Sequence, residues 1–314
     1  MKASKNKRVV VAMSGVVDSS FAACLLKKKG YEVIGISMKL WPKEDCGFHQ
    51  PTSCCSLEAI ADARLVAEKL DIPFYVIDLH KEFKTGVIDY FIDEYLRGRT
   101  PNPCILCNEK IKFGALMRKA EELDSRYVAT GHYAAVGYDR ARNSYILKEG
   151  RDKRKDQTYV LFSLTQEQLL KTLFPLSNLK KKEVRRLASR FGIPTYNKAE
   201  SQDICFVQDN YVAYLSNMRK ESIKPGPIVN EAGEVLGTHR GIPFYTIGQR
   251  EGLGIAYKYA LYVLKIDAEK NTLIVGPKEN RYSKEISVNS LSWVVGQKKK
   301  ELQARVKIRS QHKK

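Results

Sequence analysis

Long apolar runs are missing from this 314-residue sequence. A membrane-spanning helix needs roughly 20 consecutive apolar residues, so a membrane-spanning protein is excluded at this stage. One stretch imitates a secretory signal: Lys2, Lys5, Lys7 and Arg8 stand before residues 9–17. No small-residue cleavage site follows and Asp18 interrupts the run, so a first β-strand is the better reading. Low-complexity tracts and clear internal repeats are absent too, which excludes linkers and solenoid arrays. Cysteine occurs without a framework. Its count of seven is odd and lacks the density of a secreted disulfide scaffold. The chain is read as cytoplasmic, where cysteines more often serve chemistry or metals. Acidic residues are scarce, 35 Asp and Glu against 54 Lys and Arg, a net charge of +19. Such an excess asks for a polyanionic partner, most simply a nucleic acid. It is uneven, with 13 basic and 6 acidic residues over 148–200, and 11 and 3 over 278–314. Two basic regions suggest a footprint wider than one nucleotide.

Two familiar phosphate loops are also missing. The sequence V-V-V-A-M-S-G-V-V-D-S-S over residues 9–20 carries no G-K-[ST] and no G-x-G-x-x-G. What is present is a β-branched strand, a small turn at Ser14 and Gly15, and a helix opened by Asp18, Ser19 and Ser20. The first amides of a helix lack internal partners and its dipole favours negative charge, so this is an anion site. Ala12, Met13, Ser14, Gly15, Val16, Val17, Asp18 and Ser19 are the candidate nucleotide contacts. The plainer alternative is an ordinary Ser- or Asp-capped turn. Val16 is the unusual residue: a position that needs positive φ would tolerate a β-branched side chain badly.

Along the chain, strands are expected at 33–38, 74–79 and 127–130, with helices at 57–70, 87–96 and 111–123. This alternation defines an α/β, doubly wound parallel sheet. Ligands of such sheets lie at the carboxyl ends of strands. That placement nominates Met38 for adenine packing, although core filling explains it equally, and Gly131 for nucleotide contact. R-G-R-T-P-N-P over 97–103 must break a helix. A hairpin is expected over 137–152, a basic turn at 153–157, and helices at 159–164, 166–174 and 180–191. The last carries a dense basic face suited to phosphate. His132 is read as structural or RNA-contacting, with the second favoured over a catalytic base. A short strand is expected within 200–207, and β texture from residue 225 to 308. The expected domains are 1–208, a small β-rich central domain at 209–277, and a terminal piece at 278–314.

Cys107 and Cys205 are the candidate reactive cysteines. Each lies at a break with basic or amide neighbours, and Cys107 precedes a helix start. Thiolate is the reactive form and such surroundings lower a thiol pKa. Cys24, inside an apolar helix, is read as a buried hydrophobe.

Five ordered stretches now carry a resemblance: the S-G-x-V-D-S-S loop, G-R-T-P-N-P-C-I-L-C-N-x-x-I-K-F, T-G-H-Y, K-D-Q and E-S-Q-D-I-C-F. Together they resemble the tRNA-specific 2-thiouridylases over nearly the whole chain. The resemblance implies an adenine nucleotide α-hydrolase-like domain, then a β-rich domain and a partial C-terminal β-barrel. It implies that ATP, with Mg2+, adenylates the C2 oxygen of a wobble uridine in tRNA. A persulfide on Cys205 then supplies sulfur to C2, and Cys107 completes the transfer or forms a disulfide with Cys205. A cysteine desulfurase or sulfur carrier protein would load the persulfide. By the same resemblance, Asn102, Pro103 and Cys104 border the target base. Lys155, Asp156 and Gln157 touch tRNA, as do Arg309 and Ser310.

Three departures define alternatives. Val16 replaces a glycine. Cys104 replaces an Asp found in many relatives, so Cys104, Cys107 and Cys205 could instead ligate a [4Fe–4S] cluster. The sequence ends before the terminal barrel of the family would close. The competing readings are a tRNA-binding paralogue without catalysis, and another pyrophosphate-loop adenylating enzyme such as an ATP-dependent amidotransferase. Cys46, His49, Cys54 and Cys55 form a further cluster whose spacing is not a standard zinc pattern; plain loop residues are the expected reading.

Overall fold

The computed structural model describes residues 7–40, 56–199, 204–207, 210–295 and 301–309. The cluster at Cys46, His49, Cys54 and Cys55 lies outside the described residues, as does Ser310. Two compact units form. The first draws on Met1–Gly86, Cys104–Phe206 and Ser292–Lys314, and the second on Val87–Pro103 and Val207–Leu291.

The first unit is built on a parallel sheet. The strands are β1 (Arg8–Ala12), β2 (Glu32–Lys39), β3 (Phe74–Asp78), β4 (Tyr127–Ala129) and β7 (Thr172–Leu173), in the order β3-β2-β1-β4-β7. Strand β1 is central, and Val9, Val10 and Val11 are wholly buried. An all-Val run suits a strand covered on both faces. Helices α1 (Val17–Lys28), α2 (Leu57–Leu70) and α8 (Lys181–Arg190) contribute Phe21, Ala63, Val66 and Val184 to the core around it. The chain runs from β1 to β2 and β3 on one side, then returns to β4 on the other. The reversal between β1 and β4 is the point at which such sheets open a crevice. Strands β5 (Ala134–Asp139) and β6 (Ser144–Glu149) form a separate hairpin.

Several expectations are corrected. The segment at 159–164 forms only a 3-10 turn at Thr158–Val160. Helix α7 stops at Leu170, within Gln166–Leu170, because Thr172 and Leu173 pair with β4 as an edge strand. Two residues are too few to show a period of two. The helix expected from 111 begins earlier, with α5 (Pro103–Leu106) and then a π-helical stretch, Cys107–Ala115, before α6 (Leu116–Glu122). Another π-helical stretch, Lys84–Ile88, joins α3 (His80–Phe83) to α4 (Asp89–Leu96). The described residues 204–207 contain no strand.

The second unit holds a four-stranded sheet ordered β10-β11-β8-β9, from β8 (Gly226–Val229), β9 (Val235–His239), β10 (Tyr262–Asp267) and β11 (Thr272–Gly276). Ile228, Val263, Leu273 and Val275 form its core. Helix α9 (Tyr211–Arg219), which the sequence patterning does not mark, stacks Tyr211 on Tyr95 of α4. After Gly276 only a 3-10 turn at Lys278–Arg281 follows among the described residues, and no strand forms at 286–295 or 301–308. Ile286, Val288, Leu302 and Val306 are more than half exposed. Alternating apolar residues make a strand only where a neighbour takes their hydrogen bonds and one face is buried.

Gly15 closes β1 with φ +66, and a Cβ there would stand 2.1 Å from the Ala59 carbonyl oxygen of α2. Gly15→Ala is therefore expected to cost roughly 2–4 kcal/mol. In a melting curve this reads as a midpoint lower by about 5–10 °C; an unchanged midpoint refutes the contact.

Candidate active site

The loop after β1 is set by its own hydroxyls. The Ser14 amide donates to Ser19 Oγ (3.1 Å), the two serine Oγ atoms are 3.1 Å apart, and Ser19 Oγ donates to the Val16 carbonyl (3.2 Å). Val16 stands at the N-cap of α1 with φ −113 and ψ 165, and among the described residues no side chain caps it. The first-turn amides are thus left to an incoming anion. The positive φ falls on Gly15, so a β-branched residue at 16 carries no backbone strain. Beneath the loop, Ala12 and Met13 are buried. Both main-chain groups of Met13 are engaged, its amide donating to Ile36 O (2.8 Å) and its carbonyl accepting from Ser37 Oγ (2.6 Å). Met38 is the penultimate residue of β2 and is 9% exposed.

Gly131, just past β4, meets the start of α1 so closely that a Cβ would lie 2.7 Å from Asp18 C and Ser19 N. The carboxyl ends of β1 and β4 are thereby brought together around one helix N-terminus. The Asp18 carboxylate is held from two sides: Tyr133 Oη donates to Oδ1 (2.8 Å) and Lys181 Nζ to Oδ2 (2.6 Å). Tyr133 in turn exchanges main-chain bonds with Gln157, its amide donating to Oε1 (3.0 Å) and its carbonyl accepting the Gln157 amide (3.1 Å). Asp156 is also tied inward, accepting from Gly150 N (3.3 Å) and Thr158 Oγ1 (2.6 Å). The Asp156 and Gln157 side chains therefore shape the basic turn, while Lys155 lines a cavity of about 720 Å3 with Arg151, Lys153, Arg154, Lys180 and Lys182. Asp152, inside this ring of cations, accepts the Lys181 amide (2.9 Å). That bond and the amide and charge of Arg154 hold its carboxyl below the usual range.

His132 lies in the interior of the first unit. It is 7% exposed, packed by Phe113 and Phe174, with Nδ1 2.7 Å from Thr130 Oγ1. Burial, and then the charge of Lys112, push its pKa well below the ordinary value.

Cys107 is half-buried at the start of its π-helical stretch, and its neighbour Asn108 is anchored by Nδ2 to the Val160 carbonyl (3.0 Å). Cys104 is exposed and Cys205 half-buried. Cys24 is buried, and burial raises its thiol pKa, as a core role requires. Among the described residues no three His, Cys, Asp or Glu side chains gather as a metal-binding group. No step is derived through iron. The same holds for an all-protein Mg2+ site: both Asp18 oxygens already have donors. Asn102 and Pro103 lie in the second unit, half-buried and buried. Arg309 is exposed, one residue past Ile308, whose carbonyl accepts from Tyr159 Oη (3.1 Å). This places it beside the 3-10 turn that follows Gln157. Tyr133, Asn108 and Lys181 are the contributors that sequence patterning does not single out. In sequence, Lys181 is one basic residue in a run of three.

A parallel sheet with an anion-receiving loop at its point of reversal, followed by a β-rich unit, defines a nucleotide-binding HUP protein with an appended barrel-type domain. The family model of the tRNA methyl transferase HUP domain matches residues 7–209, and that of the tRNA methyl transferase PRC-barrel domain residues 213–277. The tRNA-specific 2-thiouridylase MnmA of Symbiobacterium thermophilum is 52% identical over 92% of this chain and 75% of its own. Its namesake from Moorella thermoacetica is 55% identical over 86% and 76%, and that from Geobacter metallireducens 50% over 99% and 86%. The chain belongs to the tRNA-specific 2-thiouridylase family. Among solved structures, an NMN synthetase from Francisella tularensis aligns with a TM-score of 0.39 at 18% identity, covering 68% of this chain and 77% of that one; the strand order and the family model carry the fold. No helix among the described residues is long and apolar enough to cross a membrane.

Two outcomes follow. Val16→Gly leaves the KM for ATP within about threefold of wild type, measured by pyrophosphate release; a tenfold gain in affinity would mean the side chain obstructs the nucleotide. Because the folded protein keeps His132 neutral, the unfolded chain binds the extra proton, and stability falls as pH drops below about 6.5. His132→Gln lacks that component, so the gap in melting temperature between wild type and variant narrows from pH 7.5 to 5. A constant gap would place His132 in contact with water.

Proposed function

We propose that this sulfurtransferase thiolates tRNA uridine in two half-reactions, with the loop after β1 serving the first and Cys107 and Cys205 the second. The observation that supports this reading most is the uncapped start of α1, framed by Gly15 and Gly131, in a chain about half identical to 2-thiouridylases. ATP is the first substrate. Its phosphates face the first-turn amides with Ser14 and Ser19, while Met38 borders the adenine. The C2 oxygen of the wobble uridine attacks the α-phosphate, and pyrophosphate leaves. Adenylation turns a poor leaving group into AMP. The metal that accompanies the nucleotide would neutralise phosphate charge.

In the second half, the terminal sulfur of a Cys205 persulfide attacks C2 and AMP departs. The Cys107 thiolate then attacks Cys205 Sγ, freeing the sulfur on C2. Sulfane sulfur is reduced to the thiocarbonyl as the two cysteines are oxidised to a disulfide, which an external thiol must reduce. Asn102, Pro103 and Cys104 border the target base. The basic turn at Lys155 and the residues Arg309 and Ser310 hold the tRNA backbone. Residues 1–208 act as the catalytic domain, 209–277 as a β-rich support and 278–314 as a tRNA-gripping piece. The setting is cytoplasmic, with a cysteine desulfurase or sulfur carrier protein as donor.

Unmodified tRNA, ATP, cysteine and a cysteine desulfurase are expected to yield 2-thiouridine with and without oxygen. Cys107→Ser and Cys205→Ser are each expected to lower product by more than about a hundredfold while pyrophosphate release persists. Product formed only without oxygen would favour an iron-dependent route. Product retained in both variants would favour another adenylating enzyme, and tRNA binding without product a silent paralogue.

A further inference from the structure

The first turn of α1 contains an electrostatic conflict. The helix start that would receive a polyphosphate also carries the Asp18 carboxylate, and like charges compete for the same positive end. The structure resolves the conflict with a residue far along the chain. Lys181 is 8% exposed, rare for a lysine unless it is paired. Its amide is pinned to Asp152 Oδ2 (2.9 Å), and its side chain turns back to place Nζ 2.6 Å from Asp18 Oδ2, with the Tyr133 ring 6.0 Å away. Tyr133 Oη takes the other carboxylate oxygen. Both oxygens of Asp18 are thereby turned to donors of the protein and its charge is balanced.

We propose that Lys181 is a positioning residue of the nucleotide site: it neutralises and aims Asp18 so that the loop presents amides and hydroxyls, and not an unbalanced carboxylate, to the phosphates of ATP. Lys181 acts through Asp18 and touches no reacting atom. Lys181 and Lys182 both line the basic cavity, but Lys181 is buried with Nζ on Asp18 while Lys182 is exposed on the same turn, so Lys182 is the control for the bulk charge of the cavity. The inference rests on the reading of this loop as the ATP site.

The test is tRNA-dependent pyrophosphate release with ATP titrated at saturating tRNA, together with tRNA affinity measured without ATP. Lys181→Met is expected to raise the KM for ATP about tenfold or more, with kcat and tRNA affinity within about threefold of wild type. Lys181→Arg restores KM to within about threefold of wild type. Lys182→Met moves tRNA affinity and not the KM for ATP. Because Lys181 and Asp18 act as a pair, Asp18→Asn combined with Lys181→Met is no worse than Asp18→Asn alone. If Lys181→Met does not fold, that last comparison carries the test. An unchanged KM in Lys181→Met, Lys181→Arg no better than Lys181→Met, or losses that multiply in the double variant would overturn the inference. No pyrophosphate release by wild type would instead overturn the reading of the loop.

Discussion

Helix α1 can begin where it does because two positions carry hydrogen in place of a side chain. Gly15 lets β1 turn under the first residues of α2, and Gly131 lets the strand on the other side of the reversal touch Asp18 and Ser19. Any Cβ at either place would stand closer than 3 Å to backbone, and backbone cannot step aside as a flexible side chain can. Everything local follows from this closeness. The serine hydroxyls reach one another, Tyr133 reaches Asp18, and α8 arrives near enough for Lys181 to do the same.

The result is a closed circuit of polar contacts. It runs from Asp152 through the Lys181 main chain and side chain to Asp18, on through Tyr133 to Gln157, and back along the turn, where the Lys155 amide donates to the Asp152 carbonyl (3.0 Å). The nucleotide loop and the basic turn thus share one network. In a low-dielectric interior such networks hold geometry better than their separate bonds would. A disturbance at the turn has a physical route to the loop without invoking a movement of domains.

The first four parallel strands were readable because β1, β2, β3 and β4 are β-branched or apolar runs bounded by small and polar residues. The loop was readable because its chemistry is contiguous. The partners of Asp18 were not, since Tyr133 and Lys181 stand 115 and 163 residues away and their types are unremarkable in isolation. The packing of His132 between Phe113 and Phe174 was not readable either, because neither ring is its neighbour in sequence. Residues 286–295 and 301–308 fail for a different reason. Their alternation imitates a strand, but a strand is a relation between two segments, and the described residues supply no second one. The π-helical start at Cys107 has no signature in composition at all.

The graded exposure of the cysteines bears on how the chain would be handled at the bench. Among the described cysteines, solvent meets Cys104 first, then Cys107 and Cys205, and Cys24 last. A maleimide or iodoacetamide titre therefore reaches Cys104 before Cys107 or Cys205. Mass spectrometry that resolves each peptide, not the total number of labels, is the readout that matches this geometry.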